Sequence, residues 1–183
     1  MQPTIHPGTP RRLDSARSKG GNGTEMSMTE QRKVRTCFWF TRRGVDAAQF
    51  YVGLLPDSRI DAVLDHGRPD DPMVVEFTLA GAPMMILTAG EMFEHSPAAS
   101  ISVLTKDQAE TDRLWSALLA DGGKESRCGW LVDRFGVSWQ IVPEVLPRLA
   151  NDPDTAAASR ARAAMMQMKK IDIAALEAAF RSA

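Results

Sequence analysis

A repeat limits the fold of this chain more than any other feature. The segment from Cys37, CFWFTRRGVDAAQFYVGLLPDS, resembles the segment from Ile101, ISVLTKDQAETDRLWSALLADG. At a constant offset of 64 residues, Thr41 meets Thr105, Arg42 meets Lys106, Phe50 meets Leu114 and Tyr51 meets Trp115. Leu54 and Leu55 then meet Leu118 and Leu119, and Asp57 meets Asp121. A gapless run of this kind implies two copies of one supersecondary unit, placed so that each buries faces the other cannot cover alone.

Both copies read the same way. Each opens on a short run rich in aromatic or β-branched residues, Val34–Thr41 and Ser100–Thr105, which predicts a strand. An amphipathic helix follows. In the second copy Asp107 is placed to cap it, Glu110 is the capping-box partner, and Leu114, Trp115, Leu118 and Leu119 form one stripe. In the first copy the stripe is Ala47, Phe50, Tyr51, Leu54 and Leu55, and Pro56 stops the helix. Strand patterns come next. They are Arg59–Leu64, Met73–Leu79 and Pro83–Leu87 in the first copy, with an Ala80-Gly81 turn making a hairpin of the last two. In the second copy they are Trp130–Val132 and Val137–Val142 around the turn from Asp133 to Gly136, so this copy reads one strand shorter. The expected fold is α+β: two βαβββ units whose helices lie outside and whose sheets curve into a concave half-barrel.

Composition narrows the rest. The chain has 183 residues, 44% hydrophobic and 25% charged, which suits one globular domain with appendages. Lys and Arg total 22 against 23 Asp and Glu, so no general attraction to nucleic acid or an anionic membrane is expected. Cys37 and Cys128 form no CxxC pair, and only His6, His66 and His95 supply imidazoles. Residues 1–31 are polar and charged, too poor in apolar residues to offset ordering entropy. They predict a disordered tail whose Arg11, Arg12, Arg17 and Lys19 could touch an acidic partner, with Met26 or Met28 as alternative starts. No apolar run has the length of a signal sequence or a membrane span, and a cytoplasmic protein with reduced thiols is expected. The domain proper is expected over residues 32–151, with the two copies at 34–95 and 99–143. A helical arm is expected over 152–183. There Asp152-Pro153 opens one helix, and a second starts at Asp172 with Ile173, Leu176, Ala179 and Phe180 on one face. The arm either fills a core or docks on a partner subunit, and Met165, Met166 and Met168 alternatively line an adaptable groove.

Four stretches carry a resemblance: FWFTRRGVDAAQFYVGLLPDSRI, MVVEFTLAGAPMMIL, CGWLVDRFGVSWQIVP and MMQMKKIDIAALEAAF. Together they resemble the PhnB-like group, also described as 3-demethylubiquinone-9 3-methyltransferase-like, of the vicinal oxygen chelate (glyoxalase/bleomycin-resistance/dioxygenase) superfamily. The resemblance spans about residues 34–181, with GWLVDRFGVSWQIVP its most specific part. It implies paired βαβββ units, a homodimer and a small-molecule ligand on the concave sheet. In catalytic members four inward strand positions hold a metal. Carried over through the repeat and the hairpin glycines Gly81 and Gly136, these positions fall on Thr36, Met85, Ser100 and Gln140. One amide, two hydroxyls and a thioether are a poor set for a divalent ion, so no metal and no other cofactor is expected.

Strand parity extends this set. With Thr36, Ser100 and Gln140 pointing in, Phe38, Phe40, Ser102, Ser138 and Val142 also line the concavity, joined by Glu76 and Thr78. Trp39, Ile101, Val103, Trp139 and Ile141, with Val75, Phe77 and Leu79, then face the helices, as does Cys37. The expected ligand-binding residues are Thr36, Phe38, Phe40, Glu76, Met85, Ser100, Ser102 and Gln140. Glu76 and His95 are the candidates for acid–base work, His95 beside Glu91 or Glu94 in the linker. Each also has a plainer reading, as a solvated strand carboxylate, a linker histidine or, for Gln140, a bonded amide. His66 reads as a turn residue. Cys128 beside Arg127 is either a nucleophile without an identifiable base or a structural thiol. No glycine-rich loop follows a strand, so methyl transfer from S-adenosylmethionine finds no place in the pattern. The expected function is metal-independent binding of a small molecule by a homodimer. The alternative is an enzyme on a small metabolite, of the metal-assisted lyase, isomerase or dioxygenase type, or the methyltransferase that the family description implies.

Overall fold

The structure, a computed structural model, describes residues 33–182, and the expected tail over 1–31 lies outside them. The first unit comprises β1 (Thr36–Phe40), α1 (Gly44–Val52), β2 (Arg59–Leu64), β3 (Val74–Leu79) and β4 (Ala82–Thr88). The second comprises β5 (Ser100–Thr105), α2 (Gln108–Leu119), β6 (Lys124–Glu125), β7 (Trp130–Val132) and β8 (Ser138–Pro143). Both are therefore complete βαβββ units. The strand that sequence pattern missed is β6, two residues long and too short to show alternation. Each unit forms an open, mixed, four-stranded sheet, in the orders β1-β4-β3-β2 and β5-β8-β7-β6. β1 runs parallel to β4 and β5 parallel to β8; the other neighbours are antiparallel.

Local chemistry sets the helix ends. The Asp107 carboxylate accepts the Glu110 N–H at 2.8 Å, and the Glu110 carboxylate accepts the Lys106 N–H at 2.9 Å, one residue before the cap. α1 ends at Val52, earlier than Pro56 would dictate, because the Gly53 N–H closes the helix onto Gln49 and Phe50 carbonyls. Leu54 and Leu55 thus lie in the turn beyond it. Gly44 lets α1 lie flat on β4. A Cβ there would stand 2.3 Å from Thr88 Oγ1 and 2.7 Å from Ile86 Cγ2.

One apolar cluster unites the two units. Tyr51 and Ala48 from α1, Leu114, Trp115 and Leu118 from α2, Phe77 and Ile86 from the first sheet, and Leu131, Trp139 and Ile141 from the second are buried in it. The Tyr51 hydroxyl donates to Asp133 Oδ2 at 2.8 Å, and Trp139 Nε1 donates to the same oxygen at 2.8 Å. The other carboxylate oxygen accepts the Phe135 and Val137 N–H groups at 2.8 and 3.0 Å. Asp133 is only 3% exposed, so this carboxylate is a fully bonded buried latch between the units. Burial and the adjacent Asp133 charge push the Tyr51 phenol well above its usual range, which keeps it a hydrogen-bond donor.

The register corrects the expected parity of the first unit. β1 pairs Cys37 with Met85, Phe38 with Ile86 and Phe40 with Thr88. Thr36, Phe38 and Phe40 therefore share the helix-covered face with Val75, Phe77 and Ile86, and Cys37 and Trp39 point the other way. The cause is one extra residue. Three residues, 41–43, join β1 to α1, whereas two, 106–107, join β5 to α2. The helices obey the offset of 64, but the opening strands β1 and β5 obey 65: the Ala89 N–H donates to the Phe40 carbonyl at 3.0 Å as the Glu144 N–H donates to the Thr105 carbonyl at 2.9 Å. A slip of one residue turns every side chain of a strand to the opposite face. In the second unit the expected parity is the observed one, with Ile101, Val103, Trp139 and Ile141 toward the helix.

The last part of the chain forms α3 (Val145–Ala150), which the sequence did not suggest, then α4 (Thr155–Met165) and α5 (Ile173–Arg181). The cap of α4 is Asp154, which accepts the Ala156 and Ala157 N–H groups, two residues later than expected; Asp172 caps α5 as expected. Leu146, Leu149, Ala161, Ile171 and Leu176 bury one another in a second cluster, so the arm finds its core within its own chain. The segment between α4 and α5 is stitched to the second unit. The Cys128 and Gly129 N–H groups donate to the Met168 and Lys169 carbonyls, and Gln108 bonds the backbone of both Ile171 and Ile173. Among the described residues, no helix is long and apolar enough to cross a membrane.

Candidate functional site

The face of each sheet turned away from its helix carries a cross-strand row of candidate residues. On the first sheet the row is Cys37, Met85 and Glu76, from β1, β4 and β3. On the second it is Ser102, Gln140 and Trp130, from β5, β8 and β7. The two rows are equivalent positions of the repeat. The structure thus divides the expected ligand-binding set. Glu76 and Met85 lie together on one open face; Ser100, Ser102 and Gln140 lie together on the other. Thr36, Phe38 and Phe40 do not join them. Phe38 and Phe40, 8% and 4% exposed, are core residues, and Thr36 shares their face at the exposed start of β1. Cys37, Trp39 and Trp130 take their places. Only knowledge of the extra residue before α1 would have found the first two.

The open faces combine apolar side chains with fixed polar groups. Gln140 Nε2 donates to Ser100 Oγ at 2.8 Å, which orients the amide across β5 and β8. Glu76 is held by Arg35 at 2.5 Å, so its charge is paired. Trp39 Nε1 donates to the Gly90 carbonyl at 2.8 Å, and Phe93 packs edge-on to the indole with ring centroids 5.0 Å apart. Thr78 donates to Asp61 at 2.7 Å and is nearly buried. Val142 lies on the open face with Gln140, as expected, and there packs against the cluster of the C-terminal helices.

These residues do not make a metal site. Cys37, Met85, Ser102 and Gln140 offer a thiol, a thioether, a hydroxyl and an amide. Desolvation holds the Cys37 thiol above its ordinary range, so it is protonated and uncharged at neutral pH. A divalent ion wants several imidazole, carboxylate or thiolate donors, and among the described residues no group of three His, Cys, Asp or Glu could hold one. S-Adenosylmethionine fares no better. None of the strand-to-helix connections, 41–43, 106–107 and Glu144, contains glycine, and the space beside the glycine that opens α1 is filled by Thr88 and Ile86 rather than left as a cradle.

His95 lies apart from both rows. Its ring packs edge-on against Phe38 and Phe40, with centroids 5.9 and 5.0 Å away. Burial lowers its imidazole below the ordinary range, only partly offset by Asp133, so the neutral form prevails at neutral pH. It is therefore not assembled with Glu76 into one acid–base site. Glu94 lines the same cavity as His95, whereas Glu91 is exposed outside it. His66, with φ of 48°, is an exposed turn residue as expected. Cys128, also left-handed at φ 58°, donates to Met166 Sδ at 3.6 Å, and no base bonds it.

Two βαβββ units with open mixed sheets, joined through a shared core, define the vicinal oxygen chelate fold, and the protein is a member of that superfamily. The chain belongs to the 3-demethylubiquinone-9 3-methyltransferase family, whose pattern matches residues 32–142. A PhnB protein of Bacillus cereus, also described as a 3-demethylubiquinone-9 3-methyltransferase, is 26% identical, with a TM-score of 0.56 over 61% of this chain and 99% of that one. A protein of Pseudomonas aeruginosa shares the fold at 24% identity and a TM-score of 0.52, over 61% and 96% of the two chains. The fosfomycin resistance protein FosX of Mesorhizobium loti is 16% identical, with a TM-score of 0.48 over 66% and 98%. No curated protein matches the chain.

Proposed function

We propose that this protein binds a small, mainly apolar molecule on the open faces of its sheets, as a homodimer and without a catalytic metal. One observation carries the reading: the equivalent rows Cys37-Met85-Glu76 and Ser102-Gln140-Trp130 hold apolar walls and oriented hydrogen-bonding groups in place of metal donors. Mostly apolar surface with a few placed polar groups is how small-molecule sites are built. Trp39, Met85, Leu87 and Trp130 supply the contact area, and Gln140, preset by Ser100, supplies orientation. The helix of each unit covers only the other face of its sheet, which supports a homodimer as the way to enclose this one. Residues 32–151 serve as the binding domain and 152–183 as its buttress.

Native mass spectrometry of freshly purified protein tests this directly. The expected spectrum shows a dimer with a small organic ligand and no stoichiometric zinc, manganese, iron or nickel. Gln140→Ala should weaken that ligand about fivefold to tenfold, the worth of one oriented hydrogen bond. About one tightly held divalent ion per protomer would overturn the reading, as would full affinity in Gln140→Ala.

A further inference from the structure

A second cavity lies away from the open rows, where the β1–α1 connection, the linker between the units and the β7–β8 turn converge. Its volume is about 420 Å³. Arg42 and Arg43 come from the first unit, Arg134 and Phe135 from the second, and Phe93 and His95 from the linker. We propose that this cavity binds a small planar aromatic carboxylate, its anionic group held by the arginines and its ring between the phenylalanines.

Three observations converge on that chemistry. Charge comes first. Three guanidinium groups line the cavity against a single carboxylate, Glu94. Arg43 is engaged by Asp46 at 2.8 Å and Arg134 by Asp121 at 2.5 Å, but Arg42 has no hydrogen-bond or ion-pair partner among the described residues. A guanidinium fork matches a carboxylate two bonds at a time. Unmet polar atoms come second. Arg134 Nε and His95 Nε2 are buried without a hydrogen-bond partner, and both residues line this cavity. Buried polar atoms are normally bonded, so two orphans in one cavity point to a group with complementary atoms. Aromatic walls come third. Phe93 is 58% exposed and packs edge-on against Trp39, with ring centroids 5.0 Å apart, so the cavity rim offers two aromatic rings. Phe135 already carries Arg134 and Arg43 over its ring, 5.1 and 5.6 Å from its centroid. A planar ligand ring extends that stack.

Backbone strain marks the same place. Arg43 precedes α1 in the left-handed conformation, φ 59° and ψ 32°, which a non-glycine residue seldom adopts. The Arg43 N–H, donating to Asp71 at 3.2 Å, helps hold it there. Met85, Ser102 and Gln140 of the open-face reading do not line this cavity, and Trp39 is the one residue of that reading that does, so variants at Gln140 and at Arg42 tell the two sites apart.

Isothermal titration of the whole protein with 1-naphthoate is the test. Arg42→Ala and Phe93→Ala each remove an exposed side chain, so folding is not at stake. Each should weaken naphthoate about tenfold or more, whereas Glu94→Gln should tighten it severalfold by removing the opposing charge. The uncharged 1-naphthalenemethanol and the non-aromatic cyclohexanecarboxylate should both bind more weakly than naphthoate. Absence of naphthoate binding, or equal affinity in the wild type, Arg42→Ala and Phe93→Ala, overturns the proposal. Inorganic phosphate binding as tightly as naphthoate overturns its aromatic part. Loss of naphthoate in Gln140→Ala but not in Arg42→Ala would place the probe on the open sheet and also overturn it.

Discussion

Asp133 shows how much one side chain can carry. Its carboxylate satisfies four donors, two of them from the indole of Trp139 and from Tyr51, a residue 82 positions away on the helix of the other unit. Asp133→Ala would leave a phenol, an indole and two backbone N–H groups buried and unpaired, at a cost of upward of about 3 kcal/mol. Tyr51→Phe removes only one donor and should cost about 1–2 kcal/mol. Urea melts of the two variants decide this, and equal midpoints would show that the latch contributes little. The sequence displayed Asp133 only as the start of a turn. Its neighbours Phe135 and Val137 explain that reading, but the partner on α1 could not be read from local pattern. His95 is the reverse case. Its isolation in the sequence suggested chemistry, but the fold seats it against Phe38 and Phe40, neutral and at the edge of a separate cavity.

At the scale of elements, periodicity served well wherever a run was long enough. β2, β5 and β7 match their expected bounds, and the α2 cap is where Asp107 placed it. The failures share one cause, which is that pattern carries no register between elements. β1 alternates cleanly whichever face is inward, because its aromatic residues occupy both: Phe38 and Phe40 on one side, Trp39 on the other. A single extra residue before α1 decides the matter. The same reasoning changes the role of the arm. Its apolar stripe is covered by α3 and by the segment from Met168 to Ile173, not left for a partner. Ile171 is fully buried there, so Ile171→Ala should destabilise the protein by about 2–5 kcal/mol. A melting temperature within one degree of wild type would contradict that docking.

At the scale of the molecule, each unit spends its helix on one face of its sheet and leaves the other face open. Leu104 lies on the open face of the second sheet, 60% exposed and paired in register with Val142. If copies of the chain associate through these faces, Leu104→Asp should shift the sedimentation coefficient to that of a monomer while leaving the circular dichroism spectrum unchanged. An intact dimer in that variant would place the interface elsewhere.

What the sequence determined by itself was the duplicated βαβββ plan, the family, and the scarcity of metal donors. These depend on residue types and on spacings within one element, where period 2 and period 3.6 are directly visible. What only the tertiary structure decided was which face each strand of the first unit shows, where the arm goes, and which distant groups meet. Those depend on register, loop length and contacts across tens of residues. A one-residue difference in a connection reverses a face without changing the pattern on it. The open face of the first sheet therefore carries Cys37, Trp39 and Met85, while Phe38 and Phe40 are core, and no local pattern announced the cavity between Arg42 and Arg134.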